Sequence, residues 1–146
     1  MTRKEHRPSG DRVRGASGAW IVAARLCLAA VFLYSGAAKL LFWSDGIDEF
    51  TGLGLPMPVL ALTATIFLQL GAGTALAIGW CSGPAALALA AFTVTATLIG
   101  HPFWTFKGAD FHRQLTTALE HLAIVGGLVA IAATGPRGFS FRRRPG

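Results

Sequence analysis

Ionisable side chains are rare in the apolar part of this chain, and they are the residues whose chemistry must be explained. Arg25 and Lys39 lie within the apolar stretch "RLCLAAVFLYSGAAKL", Glu120 lies in another such stretch, and His101 lies at the edge of a third. A charge at the centre of a bilayer costs at least about 2.5 kcal/mol on insertion scales. If these stretches cross a membrane, each group therefore needs a partner, a ligand or a route to water.

The composition indicates a membrane protein. Of the 146 residues, 53% are hydrophobic and only 14% are charged, which is atypical of soluble domains. The formal net charge is +6, and nine of the thirteen Lys and Arg residues lie near the two chain ends. Basic flanks around an apolar block favour a role in membrane topology over nucleic-acid binding.

Four apolar stretches are long enough to cross a bilayer, which takes roughly 20 helical residues. They are separated by glycines, prolines and polar residues, which predict breaks such as residues 43–57. The sequence thus predicts an all-α membrane protein, an antiparallel four-transmembrane-helix bundle, with both basic termini cytoplasmic. The predicted domains are a disordered basic N-terminal tail at 1–18, a transmembrane domain at 19–136 with spans at about 19–42, 58–78, 84–100 and 114–134, and a basic C-terminal tail at 137–146.

Spacing suggests how the charged groups are placed. Arg25 and Lys39 are fourteen residues apart, about 21 Å and close to four helical turns, so they share a face with Phe32 and Gly36. Glu120 lies at a depth similar to that of Lys39, which predicts an ion pair between them. The alternative is that Lys39 extends to the outer headgroups while Glu120 is protonated in lipid. Arg25 is predicted to mark the inner edge and to extend toward the headgroups there.

Polar residues also repeat at four-residue steps in two predicted spans. Thr65, Gln69 and Gly73 form one stripe, and Thr97 precedes His101 in another. Such stripes are typical of helix-packing seams. His101 lies near Trp104 at the predicted outer mouth, where these two residues and Lys39 are candidate binding groups; the alternative is an interfacial histidine without chemistry.

Neither the histidines nor the cysteines have the spacing of a metal site, so none is predicted. The remaining polar residues give no interpretable nucleophile and base, and catalytic residues stay unassigned.

Taken in order, several motifs resemble the DoxX family of small four-span membrane proteins. They are "RLCLAAVFLYSGAAKL" at 25–40, "GLPMP" at 54–58, "LQLGAGTALAIG" at 68–79, "GHPFW" at 100–104 and "LEHLAIVGGLVAIAATGP" at 119–136. The resemblance implies a helical bundle in a bacterial inner membrane with a redox association. Two departures are Gln69, where relatives commonly carry an acid, and Arg142, where they end in acidic residues. The matching family positions are Arg25, Ser35, Gly36, Lys39, Pro56, Pro58, His101, Phe103 and Trp104.

Two functions from different classes follow from the residues and the resemblance together. The first is a redox-associated membrane subunit that binds quinone or anchors a soluble thiol or sulfur oxidoreductase; no covalently bound cofactor is expected. The alternative is a non-enzymatic membrane scaffold or assembly factor, which needs only helix seams and a partner surface. A small transporter is less favoured, since four spans enclose little interior unless chains oligomerise.

Overall fold

The first helix, α1, is longer than the first predicted span. The computed structural model describes residues 10–134, and α1 covers Gly10–Leu41. Its apolar part, Gly18–Leu41, is long enough to cross a membrane. Residues 10–18 are helical, which differs from the prediction of a disordered tail over 1–18. The segment contains three glycines, which disfavour a helix, but extending the formed helix of Gly18–Leu41 needs no new nucleus. Residues 1–9 and the predicted tail at 137–146 lie outside the described residues.

The second helix, α2, was predicted as a break. It covers Trp43–Gly52 and buries Gly46 and Phe50. Gly46 faces α3 so closely that a methyl group in its place would come within 3.0 Å of the Leu62 side chain. Glycine and acidic residues here do not end the helix, because they serve a close contact on one face and solvent exposure on the other.

The third, fourth and fifth helices are the remaining long elements. α3 covers Pro58–Ile78, as predicted, while α4 covers Ser82–Gly100 and α5 covers Gly108–Ala133. α5 begins before residue 114 because residues 108–113 form its first turns, with Asp110 Oδ1 3.0 Å from Arg113 Nη2. A short 3₁₀ helix, Phe103–Thr105, lies between α4 and α5.

Residues 10–134 form helices without any strand, and four of these helices are apolar and long enough to span a membrane. Packing is most extensive between α1 and α3 and between α4 and α5. A methyl group on Gly36 of α1 would lie 3.0 Å from Leu70 of α3, and one on Gly73 would lie 3.1 Å from Leu33. The predicted packed face of α1 is confirmed, since Phe32 and Arg25 are buried as well.

Two apolar clusters hold the helices together. The larger one joins α1, α3, α4 and α5 through fully buried residues such as Leu76, Leu89 and Leu128. The smaller one joins α2 to α3 through Phe50, Leu62 and Ile66. We call the end of the structure with α2 and residues 101–107 the loop end, and the opposite end, with residues 79–81, the turn end.

Candidate functional site

A cavity of about 470 Å³ lies in the loop-end half of the structure. Ligand cavities typically have volumes of about 300–1,000 Å³, so this one can hold a small organic molecule. All five helices contribute to its wall, which is mainly apolar and includes Phe32, Phe50, Phe92, Ile99 and Ile124. Polar side chains interrupt the wall in three places, which are described in turn.

The first polar place is the side chain of Gln69, which is only 4% exposed. Its Nε2 lies 3.2 Å from Ser35 Oγ of α1, whereas its Oε1 is buried without a hydrogen-bond partner among the described residues. The Thr65 side chain, one turn away, lines the same wall. A buried amide oxygen that is left without a partner costs about 1–3 kcal/mol, and a ligand that donates a hydrogen would remove that cost.

The second polar place is a pair of histidines. The rings of His101 and His121 are 5.2 Å apart between centroids and meet edge to face, at 67°. Thr97 Oγ1 lies 2.8 Å from His121 Nδ1, and Gln114 Oε1 lies 2.7 Å from His101 Nδ1. Both rings line the cavity.

The contacts of the histidines determine which ring nitrogen carries the proton. The Thr97 hydroxyl donates its single hydrogen to the Thr93 carbonyl oxygen at 2.7 Å, so His121 Nδ1–H must donate to Thr97. The Gln114 amide oxygen is an acceptor, so His101 Nδ1–H donates to it. The tautomers of both histidines are thus assigned from their hydrogen-bond partners. Both neutral imidazoles then keep Nε2 as an acceptor. No three His, Cys, Asp or Glu side chains gather as a metal site within the described part of the chain.

His121 was not among the predicted site residues, because the spacing of the histidines was compared only with that of metal sites. A usable signal was present. Gln114, His121 and Leu128 are spaced seven residues apart, which puts them on one face of α5. Leu128 is fully buried, so this is the face that packs inward.

The third polar place is an ion pair at the cavity wall. Lys39 Nζ lies 3.6 Å from Glu49 Oε2, with side chains 21% and 54% exposed. Glu120, the predicted partner, is exposed on α5 and forms no ion pair with Lys39. The difference arises because residues 43–52 form a helix that carries Glu49 to Lys39, and because depth in the membrane does not fix the direction in which a side chain points.

Arg25 and Trp104 also differ from expectation. Arg25 lies at the turn end but is 4% exposed, so its side chain packs inward instead of extending to the headgroups. The Arg25 guanidinium occupies the space beside Gly79, the αL residue that ends α3, where a helix C-terminus favours positive charge. Trp104 is 56% exposed and does not line the cavity. Of the three residues predicted at the outer mouth, only His101 and Lys39 line it.

Neutralising the two charges of the observed pair should show a weak but specific coupling. We expect a double-mutant cycle of Lys39→Met and Glu49→Gln to give a coupling below about 1 kcal/mol, since Glu49 is largely exposed. The same cycle with Glu120→Gln in place of Glu49→Gln should give none. Reversible unfolding in mixed micelles measures both cycles. A larger coupling to Glu120 than to Glu49 would contradict the observed pairing.

Comparisons with known proteins agree with this architecture. The model of the DoxX family matches residues 20–102. Inner membrane protein YphA of Escherichia coli is 25% identical over 124 residues, covering 85% of this chain and 89% of that protein. Inner membrane protein YqjF of the same organism is 26% identical over 125 residues, covering 84% and 89%. No solved structure matches the chain at a significant level.

The predicted multi-pass membrane localisation therefore has two independent supports. One is the set of four membrane-length helices, and the other is the pair of relatives that are themselves inner membrane proteins. The family match extends over α1 to α4, the region that contains most of the cavity wall. On this match, the chain belongs to the DoxX family.

Proposed function

We propose that the chain is a multi-pass protein of the bacterial inner membrane, with four spans in an antiparallel bundle and both termini in the cytoplasm. The contacts of α1 with α3 support this arrangement, because Gly36 meets Leu70 while Arg25 meets Gly79. The contacts of α4 with α5 follow the same pattern, with Thr97 beside His121 and His101 beside Gln114. The basic chain ends favour the cytoplasmic side for the turn end.

In this bundle the cavity binds a quinone, and the chain serves as a redox-associated membrane subunit that works with a soluble thiol or sulfur oxidoreductase. The observation that carries the proposal is the cavity itself. Its wall is apolar enough for a lipophilic ring and carries a few convergent polar groups, which is typical of small-molecule sites. The unpartnered oxygen of Gln69 adds an unsatisfied group that a ligand can satisfy.

Access from the lipid phase fits a lipophilic ligand. Val31, Thr95 and Ile99 line the cavity and are also exposed on the outer surface of the helices. A membrane-dissolved molecule can therefore reach the site sideways, without passing through water. A bound quinone supplies two-electron carrier chemistry that the side chains lack. Gln69, His101 and His121 would contact its two oxygen atoms, which carry hydrogens in the reduced form of the carrier, while Phe32 and Ile124 would pack on its ring.

The test is binding to the purified protein. We expect quinone to be co-extracted with the protein from bacterial membranes in a mild detergent, in excess of the lipid background. We also expect the protein in lipid nanodiscs to bind added ubiquinone saturably. Absence of both results would overturn the proposal. If a partner then co-purified in stoichiometric amount and survived both Glu120→Gln and His101→Ala, the scaffold function would be favoured instead.

A further inference from the structure

The hydrogen-bonding polarity of the cavity points to a specific form of the ligand. We infer that the site recognises a neutral ligand that donates hydrogens, the dihydroxy (reduced) form of a quinone, in preference to its dicarbonyl form. The inference rests on the proposed function, because it concerns the same cavity. It follows from the groups in the wall whose donor or acceptor role is fixed by their other partners.

His121 is the first fixed acceptor. Its Nδ1–H is used by Thr97 Oγ1 at 2.8 Å, since the Thr97 hydroxyl hydrogen is already donated to the Thr93 carbonyl. A neutral imidazole has one hydrogen, so Nε2 of His121 carries a lone pair. The Thr97 contact is made at Nδ1, so Nε2 is the ring nitrogen that is left for a donor from a ligand.

His101 is the second fixed acceptor. Its Nδ1–H donates to Gln114 Oε1 at 2.7 Å, which leaves Nε2 as a lone pair in the same way. The two rings lie 5.2 Å apart at the same part of the cavity wall. A ligand at this position therefore meets two acceptors and no imidazole donor.

The Gln69 oxygen is the third acceptor. One of its two Nε2 hydrogens is donated to Ser35 Oγ at 3.2 Å and the second is available, while its Oε1 is buried without a partner among the described residues. The hydroxyls of Ser35 and Thr65 can donate or accept, so they do not discriminate between ligand forms. At the histidine pair, a dicarbonyl ligand would place a carbonyl oxygen against two lone pairs, whereas a dihydroxy ligand would donate a hydrogen there. The Lys39 ammonium and the second amide hydrogen of Gln69 can serve either form, because a hydroxyl also accepts.

The charges at the cavity favour a neutral ligand. Lys39 is the cation of the wall, and Glu49 lies 3.6 Å from it and also lines the cavity. The pair has no net charge, so the site offers no unpaired cation to a carboxylate or phosphate head group. A neutral phenolic hydroxyl fits both the charge and the polarity of the wall.

Three probes that share one tetramethylated six-membered ring test the inference on the unmodified protein. Tetramethylhydroquinone donates two hydrogens, tetramethylbenzoquinone donates none, and the dimethyl ether of the hydroquinone keeps the ring while it lacks the donors. We expect anaerobic titration of the protein in nanodiscs to show the hydroquinone binding at least about tenfold more tightly than the other two, which is the effect of about 1.4 kcal/mol. Equal affinity of hydroquinone and quinone, or of hydroquinone and ether, would overturn the inference while leaving the proposed function standing. If none of the three bound, the inference would fail, and the proposed function would fail with it only if ubiquinone were also neither co-extracted nor bound.

Variants assign the preference to the histidine. His121→Phe should bring the affinities of hydroquinone and quinone closer together, because it removes one fixed acceptor and keeps an aromatic ring. The matched control is His112→Phe, on the exposed surface of the same helix and outside the cavity wall, which should leave the ratio unchanged. If His121→Phe does not fold, Gln69→Met provides the same comparison. An unchanged ratio in the variant that folds would contradict the assignment of the acceptors.

Discussion

Replacing Gly79 with alanine should destabilise the protein more than the same replacement at Gly54. Both glycines have a left-handed backbone, with φ of 79° and 72°. Alanine in this conformation costs about 1–2 kcal/mol at either position. Only at Gly79 is the space occupied: a methyl group there would lie 2.6 Å from Arg25 Nη1 and 2.9 Å from Cζ.

The additional cost at Gly79 arises because Arg25 cannot move away freely. Its side chain is buried, with 4% exposure, and packs against the αL residue that ends α3. Forcing extra volume into a packed interior typically costs about 1–3 kcal/mol. We therefore expect Gly79→Ala to lower the free energy of unfolding by roughly 2–5 kcal/mol in total. Gly54→Ala should lower it only by the backbone cost of about 1–2 kcal/mol, since nothing lies within 4 Å of a methyl group there.

Reversible unfolding of both variants in mixed micelles measures the difference. Arg25→Ala in the Gly79→Ala background is the decisive third variant, because removing the guanidinium should relieve the clash. The double variant should lose less stability than the sum of the two single losses. Strict additivity, or equal losses at Gly79 and Gly54, would show that Arg25 does not fill the space beside the turn.

The parts of the fold that follow from local signals were predictable. α3 begins at Pro58, where a missing N–H costs nothing, and ends at Gly79, where a positive φ is required, so its bounds match the prediction. The packed face of α1 was predictable because a small residue, Gly36, shares the face of Phe32 and Arg25. These features depend on one helix at a time.

The parts that depend on two helices at once were not predictable. A break was expected at residues 43–57 because they contain glycines, a proline and polar residues, whereas Gly46 lets α2 approach Leu62 of α3. The partner of Lys39 was assigned by depth alone, which does not fix the direction of a side chain around its helix. Glu49 became the partner only once α2 was helical. The histidine pair is similar, as its members are brought together by the packing of α4 on α5.

Partly filling the cavity should weaken ligand binding strongly without unfolding the protein. Ala96 of α4 lines the cavity and is half-buried. We expect Ala96→Phe to occupy part of the 470 Å³ space and to weaken quinone or hydroquinone binding by at least about tenfold, or 1.4 kcal/mol. Stability should be preserved or increased, since the new ring makes apolar contacts in a void where the wall atoms had none.

The matched control for this change is Ala91→Phe, on the same helix and with the same added volume. Ala91 is exposed and lies outside the cavity wall, so its ring should point into the surrounding lipid and leave binding intact. Ligand titration in nanodiscs and thermal unfolding in detergent should be measured on both variants. A ligand-binding subunit needs room in its cavity for the ligand, whereas a scaffold does not. If Ala96→Phe lost quinone binding while the redox partner kept its activity in the cell, the scaffold function would be favoured. The cavity geometry predicts that Ala96→Phe lowers both quinone binding and the activity of the redox partner, and that Ala91→Phe lowers neither.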